Sequence, residues 1–341
     1  MNLDPNNVEG STGMLTLQCE QIWQDIQALD FPPDFKDCQN IVLCGMGGSA
    51  YGGYVINSLY KDQLKIPLIS NNDYALPSFV SQKTLVILSS YSGSTEEVLS
   101  CAQEALGKGA KIAGIAGGGT LSEFFKSNNI LSIVFDPKHN PSGQPRLGTG
   151  YMVLGTIAIL NKIGVISVPD EQVNQAISEL KTEQENIKNM GRELAAKFQG
   201  FIPVIFCAEF LEGNAHILRN QFNETAKSFS AFSILPELNH HLMEGLKNPE
   251  DKKLKVLFIT SELYSDKLKR RVELTKDVVE KNEVGYEEYQ VIGSSKLSQM
   301  LNALSFGGYL TLYLAFLYGQ DPSLIPWVDY FKKQLEGGEK T

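Results

Sequence analysis

Five short apolar runs punctuate the first 135 residues, at 41–44 (IVLC), 67–69 (PLI), 84–89 (TLVILS), 111–115 (KIAGI) and 130–135 (ILSIVF). Each is too short for a buried helix and lacks the alternation of a half-exposed strand, so strands covered on both faces are expected. Between them lie stretches with helical spacing, such as EVLSCAQEAL at 97–106, and a helix-like segment, MLTLQCEQIWQDIQAL, precedes the first run. Strand and helix in alternation are the signature of a parallel sheet wrapped by helices. Residues 169–199 are polar with a sparse stripe of Val173, Ile177, Leu180 and Ile187, which predicts a long connecting helix. Beyond it the theme returns with runs at 202–207, 254–260 and 285–291, and then KLSQMLNALSFGGYLTLYLAFLYG, apolar nearly all round. A helix of that composition is buried, between domains or at a subunit contact. The expected architecture is α/β: two doubly wound parallel-sheet domains, each an α/β/α sandwich. A helical segment at 1–34 precedes a first domain at 35–168. The connecting helix at 169–199 leads to a second domain at 200–341.

A length of 341 residues suits two domains of ordinary size. The 39 acidic and 30 basic residues leave a net charge of −9, which argues against a broad nucleic-acid surface and for small, locally held anions. The five cysteines, Cys19, Cys38, Cys44, Cys101 and Cys207, show neither CxxC spacing nor an even disulfide framework. No basic and apolar leader opens the chain, and no uninterrupted apolar run has the length of a membrane span. A cytoplasmic protein that avoids membranes is therefore the expectation.

Two polar loops follow predicted strands, where parallel sheets collect ligands. In CGMGGSAYGG, glycines let several N–H groups converge on an anion, and Ser49 stands at a plausible helix N-cap. Gly45-Met46-Gly47-Gly48-Ser49-Ala50 also fits a permitted variant of the dinucleotide fingerprint, with Asp73 as a distant ribose partner. SSYSGSTEE counts against that reading. Ser90, Ser92, Ser94 and Thr95 can all donate to one phosphate in front of a helix N-terminus. A capping box of Ser94 with Glu97 would account for only two of these residues.

Together with NETAK at 223–227 and LPELNHH at 235–241, these loops resemble the sugar isomerase (SIS) domain family, and within it the bifunctional phosphoglucose/phosphomannose isomerase group. The resemblance runs from about 35 to 335. It implies an aldose–ketose isomerase that interconverts glucose 6-phosphate, and mannose 6-phosphate, with fructose 6-phosphate through a metal-independent cis-enediol. It requires no cofactor. The other role of this fold, non-catalytic phosphosugar sensing, goes with DNA-binding appendages or basic patches not seen in this sequence.

By the same resemblance Ser90, Tyr91, Ser92 and Thr95 bind the sugar phosphate, and Gly47, Gly48 and Ser49 close the site over the sugar. Glu224 corresponds to the base that moves a proton between C2 and C1, and His240 to the ring-opening residue. In the family that histidine comes from the neighbouring subunit, which implies a homodimer with shared sites. Arg146 matches the arginine that stabilises the enediolate, and Lys332, or its neighbour Lys333, the lysine of a C-terminal helix. Asp321-Pro322-Ser323 stands where relatives carry a hydroxyl region linked to acceptance of both C2 epimers. The pair His240-His241 is a poor chelator, because adjacent side chains diverge on a helix and on a strand.

Overall fold

The computed structural model describes residues 2–338. The chain begins with α1 (Val8–Gly13) and α2 (Leu15–Asp25); α2 lies within the helix-like segment that starts at Met14, and α1 is a further short helix before it. Next come β1 (Asn40–Cys44), α3 (Tyr51–Leu59), β2 (Leu68–Asn71), β3 (Thr84–Ser90), α4 (Glu96–Gly107), β4 (Lys111–Ala116), α5 (Gly119–Ser127), β5 (Leu131–Val134) and α6 (Thr149–Ile163). The long α7 (Asp170–Phe198) leads to β6 (Ile202–Ala208), α8 (Glu212–Glu224), β7 (Ala231–Leu235) and the short α9 (Leu242–Gly245). The chain continues through β8 (Leu254–Thr260), α10 (Asp266–Lys281), β9 (Gly285–Gln290), α11 (Lys296–Leu317) and α12 (Pro326–Gly338).

The strands form two sheets, ordered β2-β1-β3-β4-β5 and β7-β6-β8-β9, with every pairing parallel. This is the doubly wound α/β organisation that the alternating runs predict. β3 is buried along its whole length, as a central strand covered by helices on both faces must be. The strand order reverses around β1 and β3, and the crevice beyond their carboxyl ends is the ligand position of such sheets. Both sequence loops open there.

One buried core runs through both halves of the chain, joining Ile41 and Leu43 of β1 to Val256 and Leu257 of β8. α7 packs along α11, and the four apolar stripe residues of α7 are all buried. α11 is long and apolar enough to cross a membrane by composition, yet 89% of its most apolar window is buried inside the fold. Its all-round apolar surface is that of a core helix contacted by α1, α3, α7 and α8.

Candidate active site

The first component is a cup at the end of β3. Gly93 has φ 68°, and a Cβ there would lie 1.7 Å from the Gly118 carbonyl, so only glycine lets this loop pass the neighbouring one. Inside the turn, the Ser90 and Thr95 hydroxyls are 2.8 Å apart, and the Gly93 N–H donates to Ser90 Oγ at 3.0 Å. The Ser94 N–H donates to Ser92 Oγ at 3.3 Å. Thr95 occupies the N-cap of α4, where no side chain caps the helix. The Ser94–Glu97 capping box is thus not formed, and the first-turn amides of α4 are left for something else. Ser49 is likewise no cap of α3: its hydroxyl accepts the Tyr91 N–H at 2.9 Å. That bond fastens the glycine loop to the cup.

Tyr91 stands apart from the other loop residues. Its side chain is buried, it packs edge-on to Phe135 at 5.5 Å, and its hydroxyl accepts from Asn140 Nδ2 at 2.7 Å. Only the backbone of Tyr91 belongs to the cup.

The second component is charged. Gly48 packs on the backbone of Arg146, where a Cβ would meet Arg146 Cα at 3.3 Å, so the glycine loop also sets the arginine's position. Arg146 is 5% exposed, and its guanidinium donates to the carbonyls of Pro322 at 2.7 Å and Ser323 at 2.8 Å and to Gln144 Oε1 at 3.0 Å. Among the described residues its Nε is buried without a hydrogen-bond partner, and it stands 4.0 Å from Glu224 Oε2. A buried donor held free beside a carboxylate is costly unless a ligand completes it. The Ser323 hydroxyl is itself taken up, donating to Asp321 Oδ1 at 2.6 Å and accepting from Asn6 Nδ2 at 2.9 Å. What residues 321–323 give this corner is carbonyls for the arginine.

Glu224 is the last residue of α8, where the helix dipole opposes a negative charge. Burial raises its pKa above the ordinary carboxylate range, and the charges of Arg146, Lys227 and Lys332 pull it back. The carboxyl group faces a cavity of about 900 Å³, lined also by Lys227, Asp321, Leu324 and Trp327. Lys332, on α12, is exposed, and its charge is felt at Glu224.

Lys227 closes the NETAK motif at 223–227, but the sequence assigned it no role. The chain leaves α8 through a turn in which the Ser228 N–H reaches the Phe222 carbonyl at 3.0 Å, and Lys227 takes φ 54° within it. This left-handed conformation is one that glycine fills by preference, and it costs another residue about 1–2 kcal/mol. Its Nζ donates to the Thr225 carbonyl at 3.2 Å. Burial, reinforced by the Arg146 charge, lowers the ammonium pKa to about 8, against the opposing pull of Asp321 and Glu224. A positive φ cannot be read from sequence without a glycine to mark it, so membership of the NETAK motif was the lysine's one signal and its role stayed hidden.

His240 lies elsewhere. It is exposed at the end of a 3₁₀ turn, Glu237–His240, that follows edge strand β7, and it does not line the cavity that Glu224 faces. The turn is tied to α10 through Asn239 Nδ2, which donates to Thr275 Oγ1 at 2.8 Å. The adjacent His241 is engaged with Glu237 at 2.9 Å. A single chain therefore assembles Arg146, Glu224, Lys227 and the influence of Lys332 in one corner, beside the cup, and leaves His240 outside it.

Two parallel sheets in this arrangement define the SIS class of phosphosugar isomerase folds. Tagatose-6-phosphate ketose/aldose isomerase from Escherichia coli superposes with a TM-score of 0.73 at 14% identity, over 94% of this chain and 96% of that one. The family model described as the bacterial phospho-glucose isomerase C-terminal SIS domain matches residues 187–335. The bifunctional phosphoglucose/phosphomannose isomerase of Caldicellulosiruptor bescii is 36% identical over 316 residues, covering 88% of this chain and 90% of that protein. The protein of the same name from Aquifex aeolicus is 34% identical over 316 residues, covering 92% and 94%. The chain belongs to the bifunctional phosphoglucose/phosphomannose isomerase family.

Proposed function

We propose that this chain interconverts glucose 6-phosphate and mannose 6-phosphate with fructose 6-phosphate, by proton transfer through a cis-enediol and without a metal. The observation that carries the reading is the Glu224 carboxyl group, facing a cavity and 4.0 Å from an unpartnered arginine nitrogen. The cup formed by Ser49, Ser90, Ser92, Thr95 and the α4 N-terminus grips the phosphate, with Gly47 and Gly48 closing over the sugar. Glu224 removes the C2 proton of the open-chain aldose; the C–H pair becomes the C1=C2 bond, and the carbonyl π pair moves onto O1. Arg146 Nε–H and the nearby Lys332 stabilise the oxygens as charge develops. The same carboxyl group returns its proton to C1, O2 becomes the ketose carbonyl, and the O2 proton ends on O1. A base whose pKa is raised toward neutrality suits both transfers.

His240 opens the pyranose ring, and its exposure at the end of β7 fits delivery to the site of a second subunit in a homodimer. Turnover of both hexose phosphates by purified protein in chelator is expected; no turnover of either overturns the reading. Sharing of sites has its own check. Glu224→Gln and His240→Ala chains, each inactive alone, regain about a quarter of wild-type sites when mixed and reassembled, because half of random dimers are mixed and each holds one intact site. If no activity returns on mixing, the histidine does not cross between subunits.

A further inference from the structure

We propose that Lys227 is a further cation of the reaction centre, binding the C1 and C2 oxygens of the substrate opposite Glu224 and sharing with Arg146 and Lys332 the negative charge of the enediolate. This rests on the isomerase reading above. Three observations lead to it. Lys227 and Glu224 line one cavity, and among the described residues the lysine nitrogen bonds the Thr225 carbonyl alone, which leaves N–H donors for a ligand. Arg146 has given three of its five N–H groups to Gln144, Pro322 and Ser323, so its guanidinium is largely committed and two adjacent oxygens call for a further donor. The lysine also sits in a left-handed turn where glycine would be easier to accommodate, so the fold is not the reason for a lysine at this position. Strain of this kind concentrates at functional sites.

The environment of the amine supports the assignment. Arg146 and burial disfavour its charge while Asp321 and Glu224 favour it, and its pKa of about 8 places the loss of charge just above neutrality. Lys332 acts on the same carboxylate from α12. A neutral amine holds an enediolate less well than an ammonium, so kcat/KM falls on the alkaline side near that value.

The test uses Lys227→Gly, Lys227→Met and Lys227→Arg in the full chain. Glycine suits the backbone, so Lys227→Gly keeps or raises Tm. It is nevertheless expected to lose about 10²-fold in kcat/KM, with the alkaline limb removed from the pH profile. Binding is read with a five-carbon aldonate 5-phosphate, whose carboxylate stands in for the two enediolate oxygens, through the fluorescence of Trp327, which lines the cavity and is 82% exposed. Affinity for this probe falls about 10²-fold in the glycine and methionine variants, while affinity for inorganic phosphate stays within about threefold, and arginine restores part of the loss. A Lys227→Gly protein that keeps its kcat/KM and its aldonate affinity within threefold of wild type overturns the proposal. Wild-type protein that binds the aldonate but turns over neither hexose phosphate overturns the isomerase reading, and the variant affinities then still decide the role of Lys227. Wild type that does neither overturns both.

Discussion

At the end of β3 the hydroxyls are already paired: Ser90 with Thr95 at 2.8 Å, Ser90 with the Gly93 N–H, and Ser49 with the Tyr91 N–H. At the end of α8 the groups are charged and incompletely partnered, with a carboxyl group at the wrong end of a helix, an arginine nitrogen without a partner and a lysine in a left-handed turn. The cup is a stable local structure that also offers donors; the corner is maintained at a cost to stability. Neutral groups satisfied by one another can hold a phosphate without change of protonation. A group that must take and return a proton needs its pKa displaced, and displacement comes from burial and unrelieved charge. The two regions should therefore respond to substitution in opposite ways.

The sharpest break comes at Glu224. Glu224→Gln is expected to lose about 10⁴-fold in kcat/KM while phosphosugar affinity stays within about threefold, because only proton transfer is removed. Stability should move the other way. With a folded-state pKa above the unfolded one, the stabilisation that the protonated carboxyl group enjoys is complete below the unfolded value and is lost as pH rises through the folded one. The variant should match wild type in Tm under acid conditions and exceed it near pH 7. A Tm below wild type at neutral pH, together with retained turnover, would show that Glu224 is an ordinary structural carboxylate.

The cup should give the opposite pattern. Ser90→Ala removes the partner of Thr95 and one of the two acceptors of the Gly93 N–H, the other being the Ser90 carbonyl at 3.2 Å. Losing these two side-chain hydrogen bonds costs about 1–3 kcal/mol, so this variant is expected to lose stability. KM should rise roughly 10- to 100-fold for the loss of hydrogen bonding to an anion, with kcat within about threefold. A fall in kcat without a rise in KM would place Ser90 in the chemistry and dissolve the distinction between the regions.

Why the two regions were unequally legible in the sequence follows from the same physics. The strands buried on both faces announce themselves as apolar runs, and the cup appears as hydroxyls and glycine directly after one of them. β7 was not anticipated: only Leu235 of Ala231–Leu235 is fully buried, so this edge strand has no continuous apolar run to mark it. The Ser49 N-cap was also misplaced, since its hydroxyl accepts the Tyr91 N–H instead of capping α3. Glu224 and Arg146 carried no local signal and were identified through resemblance, because their environment is made by elements far apart in the chain. The role of Lys227, though it lies in the NETAK motif, escaped, as did the use of the Pro322 and Ser323 carbonyls to hold Arg146. Side-chain patterns record burial well; they record backbone carbonyls and left-handed turns hardly at all.

Tyr91 provides the smallest effect and the finest test of where the cup ends. It lies between Ser90 and Ser92 and belongs by position to the phosphate-binding loop, but its hydroxyl faces Asn140, whose Nδ2 also donates to the Gln144 carbonyl at 2.9 Å. Tyr91→Phe keeps the ring against Phe135 and removes one hydrogen bond, leaving Asn140 its second partner. The expected loss is about 1 kcal/mol, or roughly 2 °C in Tm for a chain of this size. KM and kcat should stay within about twofold, since the loop keeps its Tyr91 N–H on Ser49. A rise in KM comparable to that of Ser90→Ala would mean that the tyrosine hydroxyl reaches the substrate and that the cup extends to Asn140. An unchanged KM with a lowered Tm confines phosphate recognition to the serine and threonine hydroxyls, the loop amides and the helix end.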